Sequence, residues 1–172
     1  MQARLNALIA TNVRWLGQAL RLLETLDDAT YAESRTGAHL RHILDFYQCF
    51  LNGLESSHID YDARRRDASI ERSRETAAMA IRSIVYALET RSDVRQERIV
   101  WVRMEDVEGS GVPETFIESS LSRELQALSS HTVHHFALIA VTLRAHGVQM
   151  DLDFGMAPST LRYLASQTAE AA

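Results

Sequence analysis

The sequence predicts an all-α protein, a four-helix bundle carrying a small β-hairpin insertion before its last long helix. Apolar residues recur at three- and four-residue steps in four separate stretches of roughly 20 to 26 residues, the length that bundle helices need. The chain holds only two prolines and seven glycines in 172 residues, too few breakers for a turn-rich β fold. Ahead of the last stretch the pattern changes to β-branched and aromatic residues interrupted by a glycine pair, which reads as a hairpin.

Leu5, Leu8, Ile9, Leu16, Leu20 and Leu23 place a first helix over about residues 3–26. Asp27 to Thr36 is expected as a polar connection, with Thr36 capping the next helix. Leu40, Ile43, Leu44, Tyr47, Leu51 and Leu54 mark that second helix to about residue 55, and a connection from Ser56 to Ala68 comes after it. The third helix carries Ile70, Ala77, Ile81, Ile84 and Leu88 on one stripe. Arg98 to Met104 is expected as a strand, Gly109-Ser110-Gly111 as a turn and Val112 to Ile117 as the returning strand. Ser119 or Ser120 caps a fourth helix over about residues 121–146, and Gly147 ends it. Met156-Ala157-Pro158-Ser159-Thr160 starts a short terminal helix with Leu161 and Leu164. The length suits a single domain over residues 1–172 that buries roughly 70% of its unfolded surface. Spacing alone leaves the order of the helices open.

Composition excludes several function classes. A net charge of -5 argues against nonspecific nucleic-acid binding, which needs a basic face. All 18 basic residues are arginine, so neither a Schiff-base lysine nor a phosphate-loop lysine is available. Cys49 stands alone, which precludes an intrachain disulfide; beside Phe46, Phe50 and Leu51 it is expected as a buried, inert thiol. No stretch of about 18 apolar residues exists to cross a membrane. The first helix is amphipathic, with Arg4 and Arg14, and lacks a secretion signal's apolar block, so a cytoplasmic location is expected.

The chemistry concentrates in histidines. In His131-Thr132-Val133-His134-His135, the residues at 131 and 135 lie one helical turn apart and project from the same side. With the apolar arc centred on Leu121, Leu125, Leu128, Thr132 and Ile139, His135 falls roughly 40° from the centre and His131 roughly 80°. His134 falls roughly 140° away, toward the outside. A third imidazole can come from the second helix, where His39 and His42 both remain candidates and Asp45 can orient a ring. One inward histidine is more often a hydrogen-bonded core residue. Two at this spacing plus a group on a facing helix point instead to a metal such as Zn, Ni, Cu or Fe. No fourth protein ligand is evident, so positions stay open for water or substrate.

Four long helices, His42-Ile43-Leu44-Asp45 on the second and His131 to His135 on the last make the chain resemble the DinB-like, or YfiT-like, superfamily of metal-dependent enzymes. The likeness covers nearly the whole chain by layout, and its specific content lies in those two motifs. It implies an up-down-down-up bundle holding one divalent metal ion (Zn, Ni or Fe) through His42, His131 and His135, with His39 as the alternative to His42. It also implies a small-molecule substrate, with a low-molecular-weight thiol as candidate partner, and a homodimer formed along exposed helix faces. The implied reactions are thiol-dependent transfer, in which the metal lowers a thiol's pKa, and hydrolysis by metal-bound water. Two departures stand out. Iron-binding relatives carry a glutamate two residues after the last histidine, where this chain has Ala137. Many members follow the double histidine with Arg-Gly-Gln, where this chain reads Phe136-Ala137-Leu138.

His39, His134, Tyr47 and Asp45 are further candidates for proton transfer or ligand support, against the simpler reading that each is structural or solvated. Asp60 to Asp67 packs six charges into eight residues. Arg64, Arg65 and Arg66 can clamp a carboxylate or phosphate. The preferred reading pairs them with Asp60, Asp62 and Asp67 in a loop that caps the third helix, because the charges nearly cancel. Trp101, with Val100 and Val102, is expected to pack within the hairpin rather than line a pocket. The leading functional expectation is a metal-dependent transferase or hydrolase. Its rivals are a non-catalytic metal or ligand sensor in a stress response and a structural bundle that binds a partner.

Overall fold

The computed structural model describes residues 2–103, 116–151 and 153–170. Helices dominate: α1 (Gln2–Thr25), α2 (Asp28–Glu33), α3 (Thr36–Gly53), α4 (Ala68–Arg72), α5 (Arg74–Thr90), α6 (Leu121–Ala145) and α7 (Pro158–Glu170). Three short strands, β1 (His58–Asp60), β2 (Ile99–Arg103) and β3 (Ile117–Ser120), form one sheet in the order β1-β2-β3. Among the described residues, no helix is long and apolar enough to cross a membrane.

The apolar period places α1, α3 and α6 close to where they stand, because each buries one stripe. Leu5, Ile9, Leu16 and Leu23 of α1 are buried, as are Leu40, Leu44, Phe50 and Leu51 of α3 and Leu121, Leu125, Leu128, Phe136 and Ile139 of α6. Both α1 and α3 pack on α5 and on α6. Each fully buried Leu, Ile or Phe contributes about 1.5–3 kcal/mol of transfer free energy. Ser120 caps α6 by accepting from the Arg123 N–H at 3.2 Å, and Gly147, at φ 77°, supplies the left-handed residue beyond its end.

Three expectations need correction. The segment after α1 is not a plain connection: Asp27 accepts from the Thr30 N–H at 2.7 Å and nucleates α2, which Tyr31 ties to α4 through a 2.6 Å bond to the Ile70 carbonyl. Thr36 is not a cap but the first residue of α3, entered through Arg35 at φ 57°. The third helix is two: Ser73 takes an extended conformation between α4 and α5 and caps α5 by accepting from the Thr76 N–H at 3.1 Å. A serine offers the backbone that alternative bond, so the apolar stripe continues while the helix breaks.

The hairpin pairing is present, with β2 antiparallel to β3 in the register Trp101↔Glu118 and Ile99↔Ser120. The returning strand therefore begins where the expected one ended, at Ile117. The remainder of that expectation, Met104, the Gly109-Ser110-Gly111 turn and Val112 to Thr115, lies outside the described residues. Val100 and Val102 are buried while Ile99 and Trp101 face out, the alternation a half-buried strand requires. A third strand, β1, joins β2 in parallel with His58 opposite Trp101. Three residues are too few to carry a readable period, so this strand has no signature in the chain. Gly53 makes it possible: a Cβ there would collide with the His58 carbonyl, so only glycine lets the chain fold straight back onto α3.

Candidate metal centre

Packing of α3 on α6 brings His42, His131 and His135 to one point. Each offers a ring nitrogen, and the three nitrogens lie within 4.8 Å of one another. Ring centroids are 4.9 Å apart for His42 and His131, 4.7 Å for His42 and His135, and 4.6 Å for His131 and His135. That is a nearly equilateral triangle. The two rings on α6 come from one turn, and the third comes from the facing helix. His134 is exposed, on the outer side of α6 where the helical wheel put it.

His39 does not join the triangle. Its Nδ1 lies 3.0 Å from Nδ1 of His135, a hydrogen bond in which one ring donates and the other accepts. With Nδ1 so engaged, Nε2 is the nitrogen His135 has left for a metal. The Nε2 of His131 is buried and has no hydrogen-bond partner. A buried polar atom left unpaired costs about 1–3 kcal/mol, so an orphan beside two other imidazoles marks a place for a missing partner.

Electrostatics keep these rings neutral, the state a metal needs. Burial pushes His131 down to about 4, assisted by the neighbouring His42, His134 and Arg64. Burial pushes His135 down to about 3, assisted by the surrounding histidines. His42 is lowered by burial and then by Arg64, with Asp45 pulling the other way. His39 is lowered by burial and by Arg35. Phe46 walls the site: its ring centroid is 4.3 Å from that of His131 and 5.0 Å from that of His42, and Tyr61 stacks on it at 5.2 Å.

The supporting candidates fare differently. Asp45 makes no hydrogen bond to a histidine ring among the described contacts; it lies near the Arg66 backbone, in the loop after β1. Burial raises its pKa, against the opposing influence of the Arg66 backbone and the charges of Arg41 and Arg64. Tyr47 is fully buried, donates to Asn12 Oδ1 at 2.6 Å and lies 3.2 Å from the Thr132 hydroxyl, a structural role. Cys49 is the inert thiol expected: burial pushes it up to about 11.

The charged loop departs from its preferred reading. Asp60 pairs with Arg103 across the sheet, and Asp67 caps α4 by accepting from the Ser69 N–H at 2.8 Å. Capping by the loop holds; pairing of Asp60 with the loop arginines does not. Arg64 instead sits 5.3 Å over the Phe46 ring. Sequence reasoning also missed the buried Glu124, which accepts from Tyr61 at 3.0 Å and from Ser119 at 2.6 Å. Its acidic side chain on the apolar stripe beside Leu121 and Leu125 was the available signal. A groove of about 430 Å³ between α1 and α5, lined by Glu24, Arg74 and Arg82 among others, contains none of these histidines.

Among known proteins, the chain is similar to FK506-binding protein 5 of Rhizopus delemar, with 30% identity over 109 residues. That stretch is 63% of this chain and 28% of the fungal protein, so the chain spans little more than a quarter of the relative's length. No family model and no solved structure matches.

Proposed function

We propose that this chain is a metal-dependent enzyme of the DinB-like kind, an up-down-down-up four-helix bundle that holds one divalent ion through His42, His131 and His135. Its substrate is a small molecule. One observation carries the reading: three neutral imidazoles from two helices converge while the buried Nε2 of His131 lacks any partner. The donor set fits Zn, Ni or Fe, and three ligands leave room for an exchangeable one. The contact of α1 and α3 with both α5 and α6 supports the bundle.

When bound, such an ion supplies a Lewis-acidic position at which a thiol or water loses its proton near neutral pH. His39 fixes the tautomer and tilt of His135 through its Nδ1. Phe46 shields His42 and His131 from solvent on one side. The site suits thiol-dependent transfer and hydrolysis alike. Exposed apolar residues on helix faces, Met79 and Tyr86 on α5 and Leu138 and Val141 on α6, offer surfaces for a homodimer.

Elemental analysis of protein purified without a histidine tag tests the reading. About one equivalent of metal is expected, and the His131→Ala/His135→Ala double variant should lose it while keeping its helical circular dichroism. Wild-type protein that takes up no divalent ion sinks the proposal. A turnover screen with small thiols and electrophiles then separates an enzyme from a metal sensor.

A further inference from the structure

We propose that Arg64 is the anion-binding residue of the histidine site, so that the substrate or thiol is a small oxyanion, carboxylate or phosphoryl, docked on this guanidinium while its reacting end faces His42, His131 and His135. This rests on the metal reading above and narrows its substrate class.

Four observations carry it. Arg64 leaves the loop between β1 and α4 and lays its guanidinium carbon 5.3 Å from the Phe46 centroid, on the ring that also touches His42 and His131. Its Nε is buried and has no hydrogen-bond partner. Two of the loop carboxylates are engaged elsewhere: Asp60 is taken by Arg103, and Asp67 by Ser69. By contrast, Arg41, Arg74, Arg91 and Arg103 each reach a carboxylate, whereas no ion pair joins Arg64 to any described residue.

The positive charge is felt at His42 and His131, and at Asp45, which places it beside the site rather than out in solvent. A cation held next to a metal site repels the ion it adjoins. The arrangement becomes favourable once an anion bridges the two. Arginine's planar fork suits that task, offering parallel N–H groups to the two oxygens of a carboxylate or phosphoryl group. Cation–π contact with Phe46 fixes the fork's position in advance.

The test uses protein loaded with Co(II) and reads the thiolate-to-metal absorption band. Three probes are titrated: 2-mercaptoethanol, mercaptoacetate and 3-mercaptopropionate. For each protein the ratio of neutral-thiol to acidic-thiol dissociation constants is taken, and comparing that ratio between variant and wild type cancels differences in thiol pKa and in direct chelation. Arg64→Gln should lower that ratio by about tenfold or more, the worth of a charge-assisted hydrogen-bond pair, with 2-mercaptoethanol binding unchanged. Arg65→Gln removes the same charge from an exposed neighbour and should leave the ratio as in wild type. Acetate and inorganic phosphate, as competitors, identify which oxyanion fits better. An unchanged ratio in Arg64→Gln, an equal drop in Arg65→Gln, or competition by neither anion overturns the proposal while the metal site stands. Should Arg64→Gln and Arg64→Lys both lose helical signal and metal, the residue is structural and the proposal is overturned. Failure of the wild type to take up Co(II) removes both readings together.

Discussion

Two layers of polar side chains share α3 and α6, the deeper one reaching Asn12 of α1 as well, and behave in opposite ways. In the deeper one, Tyr47 of α3 donates to Asn12, approaches Thr132 of α6, and Asn12 in turn donates to the Leu125 carbonyl at 3.0 Å. Every group there has a partner within the chain. One residue away from Thr132, His131 has a buried nitrogen with none, and His42 precedes Tyr47 by little more than a turn. Saturation therefore separates scaffold from site. A polar cluster that satisfies itself holds helices in register, and one that does not is waiting for something else.

Acid offers the sharpest way to break this contrast. The folded pKa values of His131 and His135, about 4 and about 3, lie below the ordinary histidine value of 6.5. The unfolded chain thus binds protons more readily. In metal-free protein, stability should be full above pH 6.5 and fall as the pH drops toward 3, because protonation favours the unfolded state. Urea midpoints measured across that range with a chelator present check this; a flat profile would mean that the rings are not held neutral. The deeper layer contributes nothing to that slope, since the hydroxyl of Tyr47 is raised by burial, away from acid.

Next in size is His39→Ala, which removes the partner of His135 while leaving all three nitrogens of the triangle. Metal affinity, read by competition with a chromophoric chelator, should weaken by about 10–100-fold at unchanged stoichiometry. Unaltered affinity would make the His39 contact incidental. Tyr47→Phe attacks the other layer. It strands the Asn12 oxygen in the core and should cost about 1–3 kcal/mol of unfolding free energy, with metal affinity as in wild type. If that variant released metal, the two layers would be one unit. The smallest effect is expected from Ser120→Ala, about 1 kcal/mol from the lost cap of α6 by thermal or urea unfolding, with the histidines still in place.

Legibility in the sequence tracks the range of the interactions involved. Helical period is local, so the long helices are readable within a couple of residues, and so is the pairing of His131 with His135 on one side of α6. Local caps are readable in part: Ser120 is, whereas Ser73 is hidden because an apolar stripe masks a break of one residue, and Asp27 because the six-residue α2 it caps is too short and polar to show a period. The strand β1 is not readable at all, since its three residues are held by β2 across some forty positions of chain.

The sequence by itself determined that the chain is mainly helical and that two imidazoles share one turn of α6, because both depend on spacing along a single helix. Spacing left His39 and His42 both open and the family likeness implied His42; tertiary structure set His42 in the triangle, bonded His39 to His135, and gave Asp60 to Arg103 while leaving Arg64 over Phe46. Those choices turn on how α3 is rotated against α6 and how the sheet edge is laid over both. Such rotations are set by the packing of whole faces, which no local run of residues encodes.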